Sequence, residues 1–225
     1  MIIFDKVTKK FPLGNFALND VSFEIENNDF VFLVGPSGAG KTTIIKLIIR
    51  EIIPSSGTVI IDDFDISSSS FKNTSQLRQK IGVVFQDFKI LFDKNVFENV
   101  ALSCQIKKIK TSEIKEKVKK ALDLVGLLKK EKVFPIQLSA GELQRVAIAR
   151  AIVDDRKYLL ADEPTGNLDP KTSWEIMKIF KKLEGKKTII IATHNNDIVN
   201  SFQKRVITLK EGKIIKDQRK GSYQI

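Results

Sequence analysis

The stretch "FVFLVGPSGAGKTTIIKLII" at residues 30–49 decides the fold, because it reads as a buried strand, a glycine-rich turn and a helix in direct succession. Within it, four residues separate Gly35 from Gly40, and Lys41 and Thr42 follow, which is the pattern of a phosphate-binding loop. The glycines allow backbone amides to close around phosphate oxygens, and the new helix adds its positive end. Lys41 supplies a charge to β- and γ-phosphates, and the Thr42 hydroxyl can bind Mg²⁺. An ordinary glycine turn is the alternative. The residues predicted to contact phosphate are Gly35, Ser37, Gly38, Ala39, Gly40, Lys41, Thr42 and Thr43.

Short apolar, β-branched runs recur on both sides of this loop and predict an α/β fold. They lie at residues 1–7, 21–26, 30–34, 58–62, 81–85, 158–161, 188–193 and 205–209. Several are apolar throughout, as strands buried on both faces of a parallel sheet are. The runs at 1–7 and 21–26 alternate instead, which predicts an antiparallel portion with one face in water.

Between residues 86 and 155 the strand signals stop, and a helical lobe is predicted there. From 113 to 128, apolar residues recur at helical spacing on one stripe, namely Ile114, Val118, Ala121, Leu122, Val125 and Leu128. We therefore expect a single domain over residues 1–225, with a core built from 1–85 and 156–225 and a helical subdomain at 86–155.

Composition limits the location of the chain and the kind of partner that it can have. The 225 residues are 42% hydrophobic, which is enough to bury a sizeable core. The single cysteine, Cys104, excludes an internal disulfide, and no apolar stretch near the N-terminus is typical of a signal sequence, so we expect a cytosolic location. The longest apolar runs fall well short of the ~20 residues that span a bilayer. The net charge of +11 suits an anionic partner such as a nucleotide, a nucleic acid or a lipid surface, and a lysine-rich solvated surface is the alternative.

The stretch "YLLADEPTGNLD" at residues 158–169 places two carboxylates at the tip of another buried strand. Asp162 can hold Mg²⁺ there through water. Because side chains alternate across a strand, Glu163 points differently and could polarise the water that attacks a γ-phosphate. An apolar run that ends in two acidic residues is often only a strand end. Its combination with the phosphate-binding loop favours the functional interpretation.

A second helix start that suits an anion lies in "LSAGELQRVAIAR" at residues 138–150. Residues 138–142 offer amide donors and the positive end of the helix, and Ser139 adds a further donor. A simple N-cap is the alternative, since Ser139 and Glu142 form the S-x-x-E pattern of a capping box. If both helix starts act on one γ-phosphate but face different ways in one subunit, ATP itself would hold two subunits together.

In this order and spacing, "GPSGAGKTT", "LSAGELQR", "LLADEPTGNLD" and "ATHN" resemble the ATP-binding cassette (ABC) family of ATPases over essentially the whole chain. The resemblance implies a P-loop NTPase of the ABC nucleotide-binding type, with a mixed-sheet core, an antiparallel β subdomain and a helical subdomain. It also implies hydrolysis of ATP with Mg²⁺ in a head-to-tail homodimer, where each ATP lies between the phosphate-binding loop of one subunit and the "LSAGE" helix of the other. The chain has Ala140 where the family commonly has glycine, so Ser139 and Gly141 are the expected contacts.

Further positions acquire a role only through this resemblance. Gln86 resembles the glutamine that touches Mg²⁺ and the attacking water, and His194, the only histidine, resembles the residue that contacts the γ-phosphate. Asp169 resembles the aspartate that communicates across the dimer, with a plain turn before Pro170 as the alternative. Phe11 is expected to stack on adenine. The resemblance thus implies Glu163, His194 and Gln86 as catalytic residues and Thr42, Gln86 and Asp162 as magnesium ligands.

The stretches "KLIIREIIPSSG" and "IGVVFQDFKIL" resemble those of the cell-division branch of the family. In that branch the ATPase drives a polytopic membrane protein to regulate cell-wall hydrolysis. This implies peripheral association with the cytoplasmic face of the membrane. ATPase subunits of lipoprotein-release, macrolide-export and solute transporters share much of the wording and are the alternatives. A cassette that acts on DNA or ribosomes usually carries a coiled-coil arm or a second cassette. Only 97 positions separate Lys41 from Leu138, so no nucleic acid partner is expected.

Overall fold

The computed structural model describes residues 1–12 and 14–223, which cluster into two compact units. Unit 1 comprises Met1–Arg78 and Glu184–Ile225, and unit 2 comprises Gln79–Leu183. The strands are β1 (Ile2–Lys10), β2 (Phe16–Ile25), β3 (Phe30–Val34), β4 (Ser56–Ile61), β5 (Phe64–Asp65), β6 (Ile81–Val84), β7 (Tyr158–Asp162), β8 (Thr188–Thr193), β9 (Arg205–Lys210) and β10 (Lys213–Gln218). The helices are α1 (Lys41–Ile48), α2 (Thr74–Gln79), α3 (Val96–Ile106), α4 (Thr111–Leu124), α5 (Ala140–Ile152), α6 (Pro170–Leu183) and α7 (Asn196–Phe202). Within the described ranges, none of the helices has the length and apolar character that a bilayer crossing requires.

In unit 1, an antiparallel sheet with the strand order β2-β1-β4-β5 confirms the predicted antiparallel portion. Along β2, the buried residues Val21, Phe23 and Ile25 alternate with exposed ones. The ring of Phe23 stacks on Phe4 of β1, with 4.5 Å between the centroids. A register slip of one residue would move this apolar set into water, so the alternation itself fixes the pairing.

Unit 1 also contains the mixed strand group β10-β9-β3-β8, in which β9, β3 and β8 are parallel and β10 is antiparallel to β9. Every residue of β3 and β8 is buried, as their continuous apolar sequences predict. β10 and the two-residue β5 carry no strand signal in the sequence. The cause in β10 is that all six residues of "KIIKDQ" are half-buried or exposed, so backbone pairing with β9 defines this strand.

Unit 2 consists of the parallel strand pair β6-β7 and the helices α3, α4, α5 and α6. The predicted apolar stripe is buried in α4 at Ile114, Val118, Ala121 and Leu122, and Val125 at the end of the helix is buried too. The division into a core and a helical subdomain at 86–155 stays a prediction, since unit 2 has wider bounds than that subdomain.

The prediction that Leu128 belongs to this stripe is wrong. Helix α4 ends at Leu124, and Gly126 follows with a φ of 75° in the left-handed region. The amide of Leu127 donates back to the carbonyl oxygen of Leu122 (2.8 Å), which closes the helix end. Leu128 therefore lies beyond the helix, in a 3₁₀ turn, and is 40% exposed.

Candidate functional site

The phosphate-binding loop of unit 1 joins β3 to α1 in the predicted strand–turn–helix arrangement. Gly35 has a φ of 151°, and a Cβ at this position would lie 2.2 Å from the carbonyl oxygen of Leu209. No side chain fits there, because the loop passes directly against the backbone of β9. Gly40 is the left-handed N-cap of α1, and the first turn of α1 contains no acidic residue. The helix start thus favours an anion through its N–H groups and its dipole.

Lys41 lies within this loop and is only 7% exposed. Its Nζ donates hydrogen bonds to the carbonyl oxygens of Gly35 (2.7 Å) and Pro36 (3.1 Å). The loop residues that face solvent are Pro36, Ser37, Gly38 and Thr42. The loop backbone therefore holds the ammonium group at the helix start, and Thr42, the next residue in the chain, is exposed.

His194 lies at the same sheet edge as the loop. Strands β3 and β8 are parallel, with Val34 opposite Thr193, so Gly35 and His194 directly follow two adjacent strand ends. His194 is exposed there. Unit 1 thus brings the predicted γ-phosphate contact of His194 to the edge where Lys41 is held.

Two aromatic side chains, those of Phe11 and Phe16, are exposed at the turn between β1 and β2, and the sequence predicts a role only for Phe11. Phe11 is 40% and Phe16 is 51% exposed, and a lysine ammonium lies 5.5 Å and 5.2 Å, respectively, from the two ring centroids. The carbonyl oxygen of Ala17 would lie 2.6 Å from a Cβ on Gly40, so the start of β2 packs against the phosphate-binding loop. Both rings are therefore candidates for a nucleotide base, and the adenine contact of Phe11 stays a prediction.

In unit 2, Gln86 and the predicted carboxylates also share one edge. Strands β6 and β7 are parallel, with Val84 opposite Ala161. Asp162 therefore lies at the end of β7, and Gln86 lies just beyond the end of the neighbouring β6. Gln86 is exposed, whereas Asp162 and Glu163 are half-buried. Glu163 has a φ of 46°, a left-handed conformation that is uncommon outside glycine and clusters at functional sites. The surrounding turn must therefore hold Glu163 in this conformation.

That turn also contacts Gln86. The amide of Gly166 donates to the carbonyl oxygen of Glu163 (3.1 Å), and a Cβ on Gly166 would lie 3.4 Å from Nε2 of Gln86. The side-chain amide of Asn167 donates to the carbonyl oxygen of Gln86 at 3.5 Å. The turn thus links the predicted base to Gln86 within unit 2. Asn167 carries no signal for this role in the sequence, because its partner lies 81 residues away.

The start of α5 contains the predicted capping box. Oγ of Ser139 accepts a hydrogen bond from the amide of Glu142 (3.3 Å), and the Glu142 carboxylate accepts one from the amide of Ser139 (3.1 Å). Nζ of Lys130 lies 2.5 Å from the same carboxylate, and this hydrogen bond is the main cause that lowers the pKa of Glu142. The N-cap interpretation is therefore confirmed. It leaves the anion interpretation intact, because the first N–H groups of a helix have no partner within it.

Gly141 packs directly against the start of α6. A Cβ at Gly141 would lie 2.4 Å from Cγ2 of Thr172, whose amide donates to Oδ1 of Asp169 (3.0 Å). The hydrogen bond from the Thr172 side chain, followed by that from its amide, lowers the pKa of the exposed Asp169. Thr172 thus connects two predicted site residues, and nothing in its sequence context indicates this. Ala140 is exposed at the first helical position.

The predicted site residues fall into two groups, one in each unit. Unit 1 carries Phe11, His194 and the loop residues from Gly35 to Thr43. Unit 2 carries Gln86, Ser139, Gly141, Asp162, Glu163 and Asp169. Within residues 1–12 and 14–223, no three or more His, Cys, Asp or Glu residues are grouped so that they could hold a metal ion.

The sequence and the fold both resemble known proteins. The sequence pattern of the ABC transporter family matches residues 18–166. The cell division ATP-binding protein FtsE of Bacillus subtilis is 48% identical over 224 residues, which cover 99% of this chain and 98% of that protein. The FtsE protein of Streptococcus pneumoniae is 46% identical over 219 residues, with coverage of 96% and 95%.

Among solved structures, the dimeric bacterial ABC transporter cassette MJ0796 has a TM-score of 0.89 and 34% identity, and the match covers 99% of this chain and 100% of that chain. The same cassette in a dimeric post-hydrolysis state, bound to ADP and Pi, also has a TM-score of 0.89, with 33% identity. At this identity over the whole chain, the similarity extends well beyond the phosphate-binding loop.

Proposed function

We propose a role in cell division for this chain, which belongs to the ABC transporter family and is one of its ATPases. In this role it drives a polytopic membrane protein of the FtsX type, which regulates cell-wall hydrolysis. The observation that carries the proposal is the identity of 48% and 46% to two cell-division ATP-binding proteins over nearly the whole length of each chain. Its identity to a transporter cassette of known structure is lower, at 34%.

ATP binds to unit 1 through its phosphate chain. The glycine-rich loop and the acid-free start of α1 surround the β- and γ-phosphates, and Lys41 adds its charge from within the loop. His194 contacts the γ-phosphate from the adjacent strand end, a position that the parallel register of β3 and β8 supports. Phe11 stacks on the adenine ring from the turn before β2.

The oxygen donors of Thr42, Gln86 and Asp162 fit Mg²⁺, a hard cation that takes oxygen ligands and keeps several waters. This ion needs only one or two carboxylates beside the phosphate oxygens, so the lack of a larger acidic cluster among the described residues is compatible with it. When bound, it neutralises charge that develops on the phosphate oxygens.

Glu163 orients and polarises the water that attacks the γ-phosphate. Its left-handed backbone supports this assignment, since residues held in such conformations recur where a side chain must be placed accurately. Gln86 contacts the same water, and the turn through Gly166 and Asn167 holds these two side chains in one local structure. Positioning and charge neutralisation carry most of the barrier reduction in phosphoryl transfer, so the chain needs no covalent intermediate.

The start of α5 binds the γ-phosphate of ATP that a second copy of the chain holds. Ser139 and Gly141 provide donors there, and Asp169, joined to Gly141 through Thr172, transmits the state of one site to the other. ATP thus closes a homodimer and hydrolysis releases it, a cycle that the dimeric form of MJ0796 supports. The cycle works on the membrane partner, which docks near Gln86 and keeps the chain peripherally on the cytoplasmic face.

The proposal is tested by capture of the partner. Tagged Glu163→Gln protein is incubated with ATP, Mg²⁺ and solubilised membranes of the source organism, and the retained chains are identified by mass spectrometry. The control is the Glu163→Gln protein that also carries Lys41→Ala, which cannot retain ATP. We expect capture of a polytopic protein with a sizeable extracellular domain, and this capture should require ATP. A permease that co-purifies with a solute-binding protein, or one for lipoprotein release or macrolide export, would refute the division role. Nucleic acid or ribosomes alone would refute the membrane role.

A further inference from the structure

The segment that follows Gln86 makes an unusual turn. Phe88 and Lys89 are consecutive non-glycine residues with φ values of 57° and 50°, both in the left-handed region. Such a residue is strained and persists only where the surrounding structure holds it. The local backbone contributes two hydrogen bonds, from the amide of Phe88 to the carbonyl oxygen of Phe85 (3.2 Å) and from the amide of Lys89 to that of Asp87 (2.6 Å). These leave the carbonyl groups of Phe88 and Lys89 to partners outside the turn.

Both carbonyl groups are bound by one side chain, Arg150, which lies in the last turn of α5. Its guanidinium donates from Nη1 to the carbonyl oxygen of Lys89 (2.6 Å) and from Nη2 to that of Phe88 (2.8 Å). Burial is the main cause that lowers the pKa of Arg150, so the group gives up hydration to make these bonds. Hydrogen bonds from a charged donor are about twice as strong as neutral ones. The left-handed turn is therefore fixed to α5 by a charged, forked contact.

A second, independent side chain fixes the next part of the segment. Asn99 of α3 is fully buried, accepts a hydrogen bond from the amide of Leu91 (2.9 Å) and donates to the carbonyl oxygens of Leu91 (2.9 Å) and Lys94 (2.9 Å). The carbonyl groups of Phe88 and Lys89 are therefore held by α5, whereas Leu91 and Lys94 are held by α3. Gln86 lies on the α5 side of this division.

We propose that Arg150 is a positioning residue that fixes the turn at Phe88 and Lys89 to α5 and thereby sets the place of Gln86. The two ends of one helix then serve the two sides of the reaction. Ser139 at its first turn faces the ATP held by the second copy, and Arg150 at its last turn holds the segment of Gln86, about 17 Å further along the helix axis. If α5 moves when the dimer closes, the turn at Phe88 and Lys89 moves with it, because Arg150 connects the two. The proposal depends on the proposed function only through the role of Gln86.

Amide hydrogen exchange without nucleotide tests the contact itself. In Arg150→Met, which keeps much of the side-chain volume, the amides of Phe88 and Lys89 should exchange about tenfold faster, because at least one hydrogen bond to a charged group is lost. The amide of Leu91, held by Asn99, should keep its protection. In Arg150→Lys, the exchange rates of these two amides should fall between those of the wild-type protein and Arg150→Met, since an ammonium group cannot bind both carbonyl groups in the same fork. If Arg150→Met does not fold, Arg150→Lys alone gives the comparison.

The matched control is Arg145→Met, on the same helix. Arg145 donates to the carbonyl oxygen of Val125 (3.1 Å) and to the Glu175 carboxylate (2.5 Å), so its loss affects stability but not the turn. ATP turnover gives the second readout, in which Arg150→Met should lower kcat about tenfold and leave KM within about twofold. Unchanged exchange at Phe88 and Lys89, or equal acceleration in Arg145→Met, would overturn the contact. Faster exchange with unchanged kcat would overturn the positioning role. The exchange result stands even if the wild-type protein proves not to hydrolyse ATP.

Discussion

The contact between Gly141 and Thr172 allows a sharp test of how α5 packs, because a single methyl group decides whether Gly141→Ala stabilises or destabilises the protein. A Cβ introduced at Gly141 would lie 2.4 Å from Cγ2 of Thr172, far inside contact distance. The next atoms, Cβ and Oγ1 of Thr172, would lie 3.8 and 3.9 Å away, which is ordinary packing. The substitution Thr172→Ser removes only Cγ2 and keeps the hydroxyl that binds Asp169. The clash should therefore depend entirely on the residue at 172.

Two opposing contributions set the change in the free energy of unfolding that Gly141→Ala causes. Alanine is favoured over glycine inside a helix by about 0.5–1 kcal/mol, and forcing a methyl group into a packed site costs about 1–3 kcal/mol. Gly141→Ala should thus destabilise the wild-type protein by about 1 kcal/mol, which lowers Tm by about 2–4 °C for a chain of this size. In the Thr172→Ser protein the clash is absent, and the same substitution should raise Tm by about 1–3 °C.

Thermal unfolding of the four proteins, followed by circular dichroism and calorimetry, measures this coupling, which should amount to about 2 kcal/mol. Thr172→Ser alone is the control for loss of the methyl group. An equal effect of Gly141→Ala in both backgrounds would refute the reasoning, because the contact with Cγ2 would then have no role. A stabilising effect in the wild-type background would refute it as well.

Other predictions concern the nucleotide. Lys41→Ala should abolish ATP binding in calorimetric titrations, because the loop loses the charge that neutralises the phosphates, and an affinity close to wild type would contradict the site. Glu163→Gln should bind ATP but stop turnover and accumulate as a dimer in light scattering, so a normal turnover rate would remove Glu163 as the base. Phe11→Ala should weaken ATP binding about tenfold, since stacking on a base contributes about 1–3 kcal/mol. Phe16→Ala is the matched control with little expected change, and the reverse order would assign the adenine contact to Phe16.

The elements that the sequence predicts well are those whose burial leaves a pattern in consecutive residues. The strand at Phe30–Val34 and the strand at Thr188–Thr193 have the predicted bounds, because both are buried at every residue. The phosphate-binding loop is predictable for the same reason, since glycine spacing and the helix start are local. The prediction for Leu128 is wrong because apolar spacing continues past Gly126, where the backbone leaves the helix. A hydrophobic pattern alone does not report such a break.

The contacts that organise the site are less predictable, since they join side chains to distant backbone groups. Arg150 binds carbonyl groups 61 and 62 residues away, and any residue type at those positions offers the same carbonyl. The sequence does not distinguish Thr172 from the other threonines, because its contact with Gly141 of α5 exists only in the folded structure. The left-handed conformation of Glu163 is equally invisible, because the residues around it indicate the role of its carboxylate but not its backbone angle. Local chemistry therefore predicts which groups react, and tertiary structure decides how they are held.

The capping box at Ser139 also limits how many further hydrogen bonds the hydroxyl group of this residue can make. A serine hydroxyl has one hydrogen and two lone pairs, and one lone pair already receives the amide of Glu142 at 3.3 Å. Its hydrogen therefore points away from that amide, and one lone pair remains on the oxygen. The hydroxyl can therefore donate one hydrogen bond to a ligand in front of the helix, and it keeps a single site at which it can still accept one. A fully ionised phosphate oxygen, which only accepts hydrogen bonds, suits the donor side of this hydroxyl. The bond that caps the start of α5 thus leaves the Ser139 hydroxyl able to donate to an anion.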